Sequence, residues 1–242
     1  MSLSHSPLSR PALVRLLQPW VPAAGEPVRQ DVAERLGEWL SAVDSVKLDG
    51  ALQAIASYGA QHAARQRGAH RPGATAVDAA GLAALSRRMH AEMAEQITQT
   101  LAALEPADAA EPAAYGPVHQ RYLALQKRME AKVSACRAQV RQVLSKGSPR
   151  LRQLAALDGV MAEMLAEREQ KLLAAVPVYL ERRFAQAQQQ AADHDAGRLA
   201  FLDDMRQVLM AEWQTRMHPV QGLIESAQEE DVPPHAPTHG PA

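Results

Sequence analysis

The stretch PVHQRYLALQKRMEAKVSACRAQVRQVLSKGSP, residues 117–149, decides the fold. Its apolar side chains fall at Val118, Tyr122, Leu125, Met129, Val133, Cys136, Val140 and Leu144. Steps of three and four confine them to roughly a 100° arc of a 3.6-residue helix. The segment closes on Lys146-Gly147-Ser148-Pro149. Glycine suits the left-handed position after a helix, serine caps the next helix, and proline is tolerated at its first position. A second stripe follows at Leu154, Leu157, Met161, Met164, Leu165, Leu172, Val176 and Tyr179. The pattern predicts an antiparallel helical hairpin.

Working outward, Pro177 removes a backbone donor and clashes one turn back, which predicts a kink near 174–176. Arg168 sits within the stripe and is expected to snorkel or pair. Gln186 to Asp195 is polar, and Gly197 is the expected break before a last amphipathic helix. That helix carries Leu199, Leu202, Met205, Leu209 and Trp213, with Val220, Leu223 and Ile224 beyond Pro219. The proline-bearing tail, 225–242, reads as disordered. Upstream, Thr75-Ala76-Val77-Asp78 resembles a capping box with Asp in place of Glu or Gln. The helix after it, within 76–104, should bury Leu82, Leu85, Met89, Met93, Ile97, Leu101 and Leu104. Residues 59–75 form a basic linker and 105–116 an Ala/Pro linker. The N-terminal module, 8–58, should hold a short helix near Pro11 to Gln18. A second helix with Val32, Leu36, Trp39, Leu40 and Val43 follows, then a third with Leu48, Leu52 and Ile55.

The architecture expected is therefore all-α: a long antiparallel hairpin with additional helices, a small N-terminal helical module and a disordered C-terminal tail. Composition agrees. Apolar residues make up 47 % of the 242, yet aromatics only 4 %, which favours closely packed Ala/Leu/Met helices over a sheet. The apolar spacing averages near 3.6–3.7, which predicts bundle packing rather than a left-handed supercoil. Cys136 lies on the apolar arc and reads as a small buried hydrophobe. No apolar run approaches the roughly 18–20 residues of a membrane span. The apolar group at residues 12–17 is interrupted by Arg15 and followed by Pro19 and Pro22, unlike a secretory leader. A cytoplasmic protein is expected.

The segment Arg29 to Leu52 resembles the N-terminal signature of an uncharacterised proteobacterial domain-of-unknown-function family of helical proteins. The region Asp203-Asp204-Met205-Arg206 to Pro219-Val220-Gln221-Gly222-Leu223-Ile224 is similar to that family's C-terminal block. Such proteins are often encoded near predicted envelope proteins, with channel-like and peptidoglycan-binding partners. The resemblance thus implies association with an envelope complex, and its motifs are packing patterns that specify no chemistry.

Charge is uneven. Residues 117–152 carry nine basic side chains against one acid, Glu130, whereas 26–52 carry six acids and three bases. Arg121, Arg128, Lys132, Arg137, Arg141 and Lys146 are the candidate anion-binding set, for nucleic acid or acidic lipid. The plainer reading is a solvated face matched by acids of this chain or of a partner. Tyr122 is the only aromatic on this arm and faces the core, so base stacking is poorly served.

Chemistry-bearing constellations are sparse. His90 stands two residues from Glu92 and five from Glu95, whereas helical metal sites use spacings of three or four. Asp193-His194-Asp195 reads as a polar turn or cap. No phosphate cradle, nucleophile elbow or acid–base pair is assembled, so no catalytic, cofactor-binding or metal residues are assigned. Leu209, Met210, Trp213, Met217, Leu223 and Ile224 form a dense apolar set, read either as core or as a docking face for a helix or second copy. The function expected is a non-enzymatic scaffold or adaptor presenting long helices to a protein partner, or to itself as a homodimer. The alternatives are a nucleic-acid-binding accessory using 117–152 and an enzyme of unrecognised type.

Overall fold

In a computed structural model of the chain, the described residues are 11–20, 49–50, 52–53, 77–104, 114–190 and 194–231. All of their regular structure is helical. The elements are α1 (Ala12–Leu17), a 3-10 turn (Gln18–Trp20), α2 (Ala79–Ala102), α3 (Tyr115–Leu144), α4 (Pro149–Leu173), α5 (Val176–Gln190) and α6 (His194–Asp231). Two compact units share them. Unit 1 takes its described residues from 1–29, 89–133 and 167–218, and unit 2 from 30–88, 134–166 and 219–242.

The stripe of α3 packs as its spacing predicts: all eight of its apolar side chains are buried, Tyr122, Met129, Val140 and Leu144 completely. The corner behaves as expected in one respect and differs in another. Ser148 is the N-cap of α4, its Oγ accepting from the Leu151 N–H at 3.2 Å, and Pro149 is the first helical residue. Gly147, however, has no left-handed backbone; no described glycine does. Its N–H instead donates to Leu144 O at 3.0 Å, continuing the right-handed turn. The position demands glycine for space: an added Cβ would stand 2.7 Å from Val77 Cγ2 and 3.0 Å from Leu151 Cδ1. Arg152 Nη1 donates to the Gly147 carbonyl at 2.8 Å, satisfying an acceptor at the corner.

In unit 2 the hairpin is clasped by one carboxylate. Arg137 of α3 forks onto Asp158 of α4, Nη2 to Oδ1 at 2.6 Å and Nε to Oδ2 at 2.8 Å. Arg141, one turn on, adds Nη1 to Oδ2 at 3.2 Å. Around this clasp the core is small: Ala79, Leu82, Cys136, Val140, Leu144, Leu151, Ala155, Met164, Val220, Leu223, Ile224 and Ala227. Burial pushes the Cys136 thiol pKa up, as befits a side chain used for packing. The start of α2 corrects the expected capping box. Asp78 is itself the N-cap, its Oδ1 accepting from the Gly81 N–H at 2.7 Å, and the helix begins at Ala79 rather than at 76.

The second arm differs most from expectation. Its buried set is Leu151, Ala155, Met164, Leu173, Val176, Leu180, Phe184 and Ala187, while Leu172 is 58 % exposed and Tyr179 only half-buried. The reason is a break. Ala174 and Ala175 form a turn between α4 and α5, which shifts the helical phase so that Leu173 and Leu180 point inward. Pro177 has no N–H to give Leu173 O, and Gln126 Nε2 of α3 donates to that carbonyl at 3.3 Å instead. The hydroxyl of Tyr115 donates to Pro177 O at 2.7 Å, so α3 braces both sides of the break. Helix α3 accordingly starts at Tyr115, two residues before the expected boundary.

Gly197 does not end a helix; it lies buried inside α6. That helix also runs through Pro219 to Asp231, so 225–231 belong to it and not to the tail. Leu199 is 56 % exposed, whereas Leu202, Met205, Leu209 and Trp213 are buried as expected. Arg198 donates to Leu104 O and so satisfies a carbonyl just past the end of α2. Of the N-terminal module, α1 is present with Leu13 and Leu17 buried, and the 3-10 turn packs on α5. Asp49, Gly50, Leu52 and Gln53 are helical, Leu52 being 47 % exposed. The expected helix around Trp39, the basic linker, most of the Ala/Pro linker and the rest of the tail lie outside the described residues. Among the described residues no helix is long and apolar enough to cross a membrane.

Candidate functional site

The densest set of polar side chains buried in unit 1 centres on one turn of α6. Glu212 is fully buried and Arg216 nearly so. Four donors converge on the Glu212 carboxylate. Tyr122 donates its hydroxyl to Oε2, Gln126 Nε2 reaches Oε1 at 3.1 Å, and Arg216 brings Nε and Nη2 to Oε1 at 3.0 and 2.9 Å. Three of these bonds fall on Oε1 and one on Oε2, close to the roughly four acceptor sites that a carboxylate offers. Arg216 Nη1 also lies 3.3 Å from Glu169 Oε1, whose side chain is about half exposed.

Each partner sits there for a local reason. Tyr122 and Gln126 are one turn apart on α3, and Glu212 and Arg216 one turn apart on α6, so each pair presents one face. Glu212 and Trp213 are neighbours on α6 and therefore point different ways. Trp213 Nε1–H donates to His90 Nδ1 of α2 at 2.8 Å, with the rings edge-to-face at 5.7 Å. Burial holds the His90 pKa below its ordinary value, in keeping with a neutral ring that accepts at Nδ1. Burial chiefly, then the Glu212 charge and hydrogen bond, push the Tyr122 hydroxyl far above the ordinary phenol range. Tyr122 is thus a fixed donor rather than an acid. A short aromatic run, Tyr115–Phe184–Phe201, lies in the same unit, with centroids 5.5 and 5.0 Å apart. Tyr115 has its pKa raised to about 12 by burial and then by Glu181.

The model of the family described as "Protein of unknown function (DUF3348)" matches residues 1–229. The chain belongs to that family. No curated protein matches it, and no solved structure does.

The residues singled out from sequence distribute as follows. Of the anion-binding set, Lys132 Nζ pairs with Glu92 Oε2 at 3.0 Å, and Arg137 and Arg141 pair with Asp158. Arg121, Arg128 and Lys146 are exposed. Of the apolar set, Leu209, Trp213 and Met217 are buried in the core of unit 1, and Leu223 and Ile224 in that of unit 2; Met210 is half-buried. His90, Glu92 and Glu95 each have a different partner, Glu95 receiving Gln99 Nε2 at 2.7 Å. Asp193 and the side chain of His194 lie outside the described residues.

Sequence reading missed the centre of the site altogether. Tyr122 counted as one more apolar residue of the stripe, and neither Glu212 nor Arg216 was singled out. One signal was available. Glu212 is flanked by Ala211 and Trp213, and Arg216 by Met217, on a helix whose apolar residues already exceed one face. Such a helix is covered on several sides, and charges four apart within it must find each other.

Proposed function

We propose that this chain is a non-enzymatic scaffold or adaptor whose long helices engage a protein partner. The observation that carries the reading is the state of its buried polar groups: Glu212, Tyr122, Gln126 and Arg216 are committed to one another. Groups bonded in this way hold helices together, and none of these four is turned toward a substrate. Contact with a partner is served by apolar side chains left exposed on long helices, Leu172 at 58 % and Leu199 at 56 %. Cytoplasmic placement and an envelope-associated partner belong to the same proposal, the latter resting on the family resemblance. The nucleic-acid reading has less support, because Lys132, Arg137 and Arg141 face carboxylates of this chain.

The test is affinity capture on the immobilised full chain, compared with Leu172→Glu/Leu199→Glu. The wild type should retain a defined protein, or a second copy of itself, that the still-helical variant loses. Equal retention by both, or none by either, contradicts the proposal.

A further inference from the structure

The turn from Glu212 to Arg216 makes polar contacts with three other helices of unit 1. Glu212 takes hydrogen bonds from Tyr122 and Gln126 of α3, Arg216 reaches Glu169 of α4, and Trp213 donates to His90 of α2. The apolar side chains of this core include Met93, Met129, Met205, Met217, Leu125 and Leu209 beside Ile97, Val208 and Phe201, all buried. Methionine and leucine are adaptable fillers, and cores made of them accept more than one packing at similar cost. A displacement of α6 by one turn would exchange Met205 for Leu209 and Trp213 for Met217. It would also carry Glu212 away from two donors, Tyr122 and Gln126, and Arg216 away from Glu169. A buried carboxylate with partners missing is severely penalised, so the polar turn adds to the penalty on any other arrangement of the core.

We infer that the Glu212–Arg216 turn is a register lock: it selects one axial alignment of α2, α3, α4 and α6 in unit 1, at no net gain in stability over an apolar core. Replacing a buried ion pair with apolar residues of similar volume is often neutral or stabilising, and in some proteins what is lost is uniqueness.

The variant Tyr122→Phe/Glu212→Leu/Arg216→Met removes the buried pair and the hydroxyl together, while Gln126 keeps Leu173 O as a partner. Spin labels at Arg128 of α3 and Arg206 of α6, both exposed, report the alignment by pulsed dipolar spectroscopy in a full-length Cys136→Ala background. The unsubstituted layer should give one narrow distance population. The apolar variant should remain helical, unfold at the same or a higher urea concentration, and show a second population displaced by about one helical turn, ~5.4 Å. A variant with one population at the original distance overturns the inference. So does a variant that no longer folds, because the layer would then be needed for stability itself.

Discussion

Units 1 and 2 draw segments from the same long helices, yet they handle charge in opposite ways. Unit 1 buries Glu212 completely and surrounds it with four donors. Unit 2 leaves its main carboxylate, Asp158, 10 % exposed, between Arg137 and Arg141 side chains that are 16 % and 28 % exposed. Aromatics divide the same way: among the described residues, every Phe, Tyr and Trp falls in unit 1. Similar helices can therefore be joined by aromatic bulk and a buried network, or by aliphatic residues and a partly exposed clasp. In the first case removing one partner strands the others away from water; in the second, water replaces what is lost.

The largest expected effect follows from that difference. Glu212→Ala leaves Arg216 buried without its main counter-charge and should lower the urea-unfolding free energy by about 3–5 kcal/mol. A loss below 1 kcal/mol would mean that water reaches the network. In unit 2, Asp158→Ala releases two arginines that can turn to solvent, and about 1–2 kcal/mol is expected in the same assay. A cost as large as that of Glu212→Ala would erase the contrast between the units. Ser148→Ala removes the cap at the hairpin corner and should cost about 1 kcal/mol, read from the same unfolding curves. No change there would show the corner to be held by packing alone.

How legible was this from sequence? The first arm was, because its eight apolar residues leave one face and no competing one. The corner was legible through Ser148 and Pro149, although Gly147 serves closeness to Val77 rather than a left-handed turn. The second arm was not. Leu151, Leu154, Leu157, Val160, Met161, Met164 and Leu165 occupy more than one face, so several arcs fit equally well. The turn at Ala174–Ala175 then resets the phase, and only Gln126, 47 positions from Leu173 in sequence, shows how the break is tolerated. Gly197 misled for a related reason: packing along α6 outweighs the roughly 1 kcal/mol that an interior glycine costs. The network was least legible, since a Tyr and a Glu 90 positions apart give no local sign of meeting.

The smallest effect expected is a pH dependence in unit 1. Burial lowers the His90 pKa below its ordinary 6.5, so the folded ring stays neutral where the unfolded one would take a proton. Above that value neither state binds the proton and the contribution is fully present. Below it the unfolded chain gains a proton that the folded chain refuses, and stability falls. The thermal midpoint, followed by circular dichroism, should decline from pH 7 to pH 5, and less steeply in His90→Gln. Identical slopes would remove His90 from the account.

Glu212 and Arg216 act as a buried coupled pair, unlike Arg137 and Asp158. Two double-mutant cycles to alanine, measured by urea unfolding of the full chain, address that contrast directly. The coupling energy should be about 2–3 kcal/mol for Glu212/Arg216 and about 1 kcal/mol or less for Arg137/Asp158. Equal couplings, or a larger one for Arg137/Asp158, would contradict it.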